Sequence, residues 1–204
     1  MKHTTRILIG LTLLTLLLTM VPRNVSAVSV PATPPAGGTF ADRLAQRKAE
    51  REITLDEKDQ KRLGERCTTT QGKIRTLYQG VTKIIEDRKK SYQQVDAKLW
   101  VTIGRLKLAN RDTFELEKQR TNLADKLNDF QVTATNYTQT LDDIQVVNCK
   151  ADVIGFKALL DTARLYRQQV IDKTAAIRDY VVNDVKATLA AHVADMQPKS
   201  EGTN

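Results

Sequence analysis

The sequence predicts an all-α fold, an elongated antiparallel coiled-coil hairpin or three-helix bundle closed by one disulfide. Three observations lead there. Ala, Leu, Lys, Gln and Asp abound while aromatics make up only 5% of the chain, a balance that favours helix over sheet. Two long runs carry apolar residues at alternating spacings of four and three. The only cysteines, Cys67 and Cys149, stand where a hairpin of those runs would bring them together.

The chain opens on a short basic stretch, Met1 to Arg6, followed by a leucine-rich apolar run from Ile7 to Val21 that stops at Pro22. Val25-Ser26-Ala27 then supplies the small or β-branched side chains that a signal peptidase reads. A basic segment, an apolar segment and a small-residue cleavage site make a secretory signal, expected here as residues 1–27. The competing reading, an uncleaved anchor, asks for about 20 apolar residues, and this run is shorter. The chain is thus expected to be exported, secreted or held at the cell envelope. Cleavage removes three bases and no acid, leaving a net charge of +5. So mild an excess does not fit a dedicated nucleic-acid binder.

Residues 28–39 are rich in Pro and Gly and read as an extended linker. Thr39 with Asp42 forms a variant capping box, and Thr54 with Glu57 offers a second helix start. Residues 40–66 hold eight bases, seven acids and scattered apolar side chains, so they read as a charged arm, either a solvated helix or partly disordered. The bundle is expected over 67–196, followed by a polar, disordered tail at 197–204.

The first seam reads Leu63, Cys67, Thr70, Ile74, Leu77, Val81, Ile84, Arg88, Ser91 and Val95, then slips through Leu99, Ile103 and Leu106 as a stutter. The second reads Leu116, Arg120, Leu123, Leu127, Phe130, Ala134, Tyr137, Leu141, Ile144 and Asn148. Between them Asn110 suits the left-handed position that ends a helix, and Asp112, with Glu115 three residues on, suits the cap of the next. So short a connection makes the neighbours antiparallel. A third run, with Val153, Phe156, Leu160, Ala163, Val170, Ile177 and Val181, has a wider stripe that includes Leu159, Tyr166, Ile171, Tyr180 and Val185. That width suits a helix touching two neighbours. Asp152 offers an N-cap for it, although one continuous helix from Thr113 to about Met196 is also compatible with a stretch that lacks Gly and Pro.

Pairing the cysteines puts the midpoint of a hairpin at residue 108, and pairing Ile74 with Leu141 or Val81 with Ala134 puts it within a residue of that. In an exported chain an even cysteine count favours a disulfide, with two free thiols as the alternative. Closing so long a loop would stabilise the fold by about 4 kcal/mol in the chain-entropy model. Residues 67–112 carry a net +6 and residues 113–148 a net −3, so much of the basic excess is expected to face the partner helix.

Material for catalysis is scarce. His3 leaves with the signal, His192 has no second ligand in view, and no phosphate loop, nucleophile elbow or metal cluster appears. No catalytic residue, metal or cofactor is expected. The candidate binding tip is Lys98, Trp100, Arg105, Lys107 and Arg111, which could touch an anionic surface or an acidic protein. Against this stands a plainer reading in which Trp100 packs on the third helix. The second candidate, Arg88-Lys89-Lys90, reads as a solvated run.

From Cys67 to about Val185, the chain resembles small exported helical proteins of host-attached, reduced-genome bacteria. Arg66-Cys67, the segment Val147 to Asp152 and the segment Gly155 to Leu160 carry the resemblance. It implies export, the disulfide and a helix start near Asp152, and it transfers no functional residue. In outline the hairpin is also similar to periplasmic holdase chaperones, whose β-rich body has no counterpart in the strand pattern here. The expected function is therefore a non-catalytic extracytoplasmic interaction or structural protein. Its partner is expected to be an envelope or surface protein, or a second copy. The alternatives are a holdase for exported clients and a membrane-active amphipathic protein.

Overall fold

A computed structural model describes residues 38–51 and 53–195. The expected signal segment, most of the linker and the tail lie outside them. The described chain is helical, in the order α1 (Phe40–Ala49), α2 (Glu57–Leu108), α3 (Phe114–Val146), α4 (Val153–Tyr180), a π-helical turn (Val181–Val185) and α5 (Lys186–Asp195).

Local chemistry sets most of the boundaries. Thr39 and Asp42 close the expected capping box, each side chain accepting the other residue's backbone N–H. At the next start Asp56, not Thr54, is the cap, and its carboxylate accepts from Asp59 N at 2.7 Å. Asp56 directly precedes the first turn, whose N–H groups have no helical partner, and there a carboxylate also meets the positive end of the helix. No break separates residues 57–66 from the bundle, so the charged arm is two things: α1 and the opening turns of α2.

Asn110 ends α2 at φ 52° as expected. Its N–H donates to Lys107 O at 2.9 Å and that of Arg111 to Leu106 O at 3.0 Å, the paired bonds of a Schellman motif. Asp112 does not cap at Glu115; it accepts from Phe114 N at 2.9 Å, and α3 begins one residue later than the sequence suggested.

The stretch after α3 is a turn, which rules out one continuous helix. Its cause lies in α2. The Gln71 carboxamide donates to Ile144 O at 2.8 Å and Val147 O at 2.9 Å, taking up carbonyls that the end of a helix leaves orphaned. Cys149 is held by its disulfide to Cys67, with Cα atoms 5.8 Å apart. Asn148, expected on the seam, is exposed and outside the helix. Asp152 then caps α4 by accepting from Gly155 N at 2.8 Å. A Cβ at Gly155 would come within 2.4 Å of the Asp152 carboxylate, so only glycine fits beside this cap.

α3 is the central helix, packed against both α2 and α4, while the two outer helices touch sparingly. Its seam is buried as expected at Leu116, Leu123, Phe130, Ala134, Tyr137, Leu141 and Ile144. On α2 half the seam is rotated by one residue. Gln71, Tyr78, Ile85 and Tyr92 turn inward, while Leu77 and Ile84 stay 42% and 53% exposed. The inward set offers more to bury: Tyr92 meets Phe130 edge to face at 5.3 Å between ring centroids, where Ser91 would offer a hydroxyl. The stutter lies where expected, and Leu99, Ile103 and Leu106 are all buried.

The π turn corrects a phase error in the third helix. Continued α-helical spacing from Ile177 would bring Asp184 to the core; the extra residue brings Val185 there, against Leu99, Ile103, Leu106 and Leu116. Ile171, expected in the stripe, is exposed.

Charge pairing between α2 and α3 departs from expectation. Among the described residues the ion pairs joining them are Lys107–Glu117 and Arg120–Asp96, and the second has its base on the acidic helix. Ionic matching is instead concentrated under α1. Arg43 holds Asp143 through two nitrogens, Lys48 pairs with Asp152, and Arg47 is 3% exposed. Arg47 donates to the Tyr166 hydroxyl and to Glu50, each at 3.0 Å, and lies 5.3 Å from the centroid of the Tyr166 ring.

Two outcomes follow. Replacing both cysteines by serine should lower unfolding stability by about 4 kcal/mol, read by urea denaturation of oxidised protein and variant. Burial raises the Tyr137, Tyr166 and Tyr180 hydroxyls above the ordinary tyrosine value. Their stabilising share is whole below pH about 10, and it falls as pH rises towards the folded values, because the unfolded chain loses those protons first. A melting temperature that drops above pH about 10, alongside late phenolate absorbance, checks this.

Candidate binding groove

The expected tip residues divide: Trp100 and Lys107 line a small pocket with Arg120, and Lys98 and Arg105 do not join them. Lys98 and Arg105, seven apart, share one flank of α2, while Trp100 and Lys107 share another about 200° round the helix. Trp100 is 59% exposed and stands beside Lys107 and Arg120. The Arg120 guanidinium, from α3, lies 4.9 Å from its ring centroid and is held there by Asp96 at 2.9 and 3.1 Å. Beside it Lys107 reaches Glu117 at 3.0 Å, and the Thr113 hydroxyl also donates to that carboxylate. The Thr113 bond, then Lys107, hold the Glu117 carboxyl below its ordinary value. Arg111 is exposed in the turn. Lys107 and Arg120 are therefore matched by acids, which removes much of the tip's positive potential.

The larger opening is elsewhere and was not singled out in the sequence. α2 and α4 both run antiparallel to α3 and so parallel to each other. They come together near Gly64, where a Cβ would lie 3.8 Å from Val153 Cγ2, and again where Arg88 donates to the Thr174 hydroxyl at 2.9 Å. A groove of about 580 Å³ opens between the two helices, lined on α2 from Asp59 to Leu77 and on α4 from Lys157 to Arg167. Its floor and walls are apolar: Tyr137 and Leu141 from α3, Leu63, Ile74 and Leu77 from α2, Leu160 and Ala163 from α4. The exposure of Leu77 is explained by this opening.

The rims are cationic. Arg62, Arg66 and Lys73 line the α2 side and Lys157, Arg164 and Arg167 the α4 side, against Asp59 alone. Asp161 engages two of the six, Lys157 and Arg164. Arg62, Arg66, Lys73 and Arg167 have no ion-pair partner among the described residues. One end is bounded by the connection from α1, whose Leu55 lines the groove and which passes beside Lys157 and Asp161. The signal for the site was the flank Arg62, Arg66, Lys73, set beside the spare apolar position Leu77. It becomes legible only once the inward phase of α2 is known.

No group of three or more potential ligands is placed to hold a metal among the described residues, and His192 sits half-buried on α5. No described helix is long and apolar enough to cross a membrane. No family model, curated protein or solved structure matches the chain.

Trp100 is exposed and the Arg120–Asp96 pair only half-buried, so Arg120→Ala should cost about 1 kcal/mol or less. It should still shift Trp100 emission to longer wavelength, since the lone tryptophan loses its cover.

Proposed function

We propose that this chain is an exported, non-catalytic binding protein, a coiled-coil rod that engages an extracytoplasmic protein partner through the groove between α2 and α4. The observation that carries this reading is the groove itself: apolar side chains left accessible between two helices and edged by unmatched cations. An apolar strip edged with charge is the arrangement by which protein surfaces combine affinity with orientation.

Export is supported by the segment 1–27 and by a disulfide that suits an oxidising compartment. The coiled-coil reading rests on the inward positions of α2, buried or half-buried, which keep four-three spacing from Cys67 through Leu99. At about 1.5 Å per residue α2 is about 78 Å long, enough to hold a partner well away from either end.

The same groove favours a second reading, a holdase that shelters apolar segments of unfolded exported chains. The two differ in how many partners they take. A photo-crosslinking residue at Leu77, inside the groove, compared with one at Val132, exposed on α3, separates them in the producing cells. One dominant protein attached from Leu77 and not from Val132 is expected. Many unrelated exported chains would favour the holdase, and equal labelling from both positions would overturn the groove as the binding face.

A further inference from the structure

We infer that the groove's partner presents an acidic amphipathic helix of about five turns, which lies along the groove and completes the bundle locally; this rests on the groove being the binding face. Length is the first argument. The α2 lining runs from Asp59 to Leu77, about 27 Å at the rise of a helix, so an incoming helix of about 18 residues would follow that wall and meet the shorter α4 wall, Lys157 to Arg167, over about 15 Å of its length.

Charge is the second and decides the occupant. The unmatched cations are spread along the groove and stand on both rims: Arg62, Arg66 and Lys73 on one, Arg167 on the other. A helix that lays an apolar stripe on Leu63, Leu77 and Leu160 carries its flanking positions past both rims at once. Asp and Glu at those flanks would answer all four cations, each pair drawn from opposite helices. A single-chain lipid brings one anionic head and would leave most of them unanswered. The protein's own apolar run from Ile7 to Val21 follows Lys2 and Arg6, so it would bring like charge to the rims. The third argument is mode. An amphipathic helix in an apolar groove is read through anchors three and four residues apart, and the walls here come from two parallel helices that already supply such spacing.

The long stems of Arg66 and Arg167 can lie on the incoming helix while their heads stay wet, so binding should depend on salt. The probe is a fluorescein-labelled synthetic peptide of about 18 residues, with leucine at three-four spacing, glutamate on both flanks and glutamine outward. Its control carries lysine in place of glutamate. Anisotropy with the oxidised protein should show the glutamate peptide binding about tenfold or more tighter than the lysine peptide, and weakening as salt is raised. Arg66→Glu with Arg167→Glu should abolish that preference, and Leu77→Asp should weaken binding, while circular dichroism melts stay close to the parent because all three side chains are exposed.

Equal binding of both peptides, or a preference unmoved by the double charge reversal, overturns the proposal. So does one-to-one binding of monomeric oleate with no binding of the glutamate peptide, which would reassign the groove to a lipid. If the peptide fails while Leu77 still crosslinks one protein in cells, the helix class falls and the binding face stands; if both fail, both fall.

Discussion

The link between Cys67 and Cys149 governs more of this molecule than its chain-entropy contribution suggests. It ties the third turn of α2, just after Gly64, to the turn that separates α3 from α4, and so fixes three helices relative to one another at a single point. Four residues on, Gln71 holds the last carbonyls of α3. Together the covalent and the polar contact end α3, orient the start of α4 and set the level at which α2 and α4 run side by side. The disulfide lies midway along the α2 wall of the groove, and Arg88 meets Thr174 beyond the Leu77 end.

Much of this was legible in the sequence where one residue type answers one local demand. Asn110 announced its left-handed turn, Thr39 and Asp42 their box, Asp152 its cap, and the α3 seam its burial, because each depends on a few neighbours. The phase of α2 was not legible. Leu77 stands beside Tyr78 and Ile84 beside Ile85, so two heptad frames are nearly equal in apolar content. The choice falls to long-range partners such as Phe130 and to a polar residue, Gln71, that no hydrophobic count rewards. The same error hid the groove, since its walls are the positions the wrong frame placed inside.

The tip divides for a related reason. Counting bases in sequence ignores which flank each takes, and Trp100 with Lys107 faces away from Lys98 with Arg105. The charged arm shows the converse. Residues that read as solvated become a docked helix because Arg43, Arg47 and Lys48 each find a partner that sequence order places about a hundred residues away. A buried arginine is costly alone; with a carboxylate, a phenol and an aromatic face around it, the guanidinium is satisfied and α1 gains a specific seat.

The rim cations stand almost entirely apart from the buried core. Five of the six are exposed and none contributes to either apolar cluster, so the residues that would choose a partner and those that hold the fold are separate sets. Substitution can therefore rewrite the first set while leaving the second untouched. Charge changes along the rim would thus alter what the groove can hold at little cost in stability, with the cysteines, Gln71 and the α3 seam unchanged beneath the altered edge.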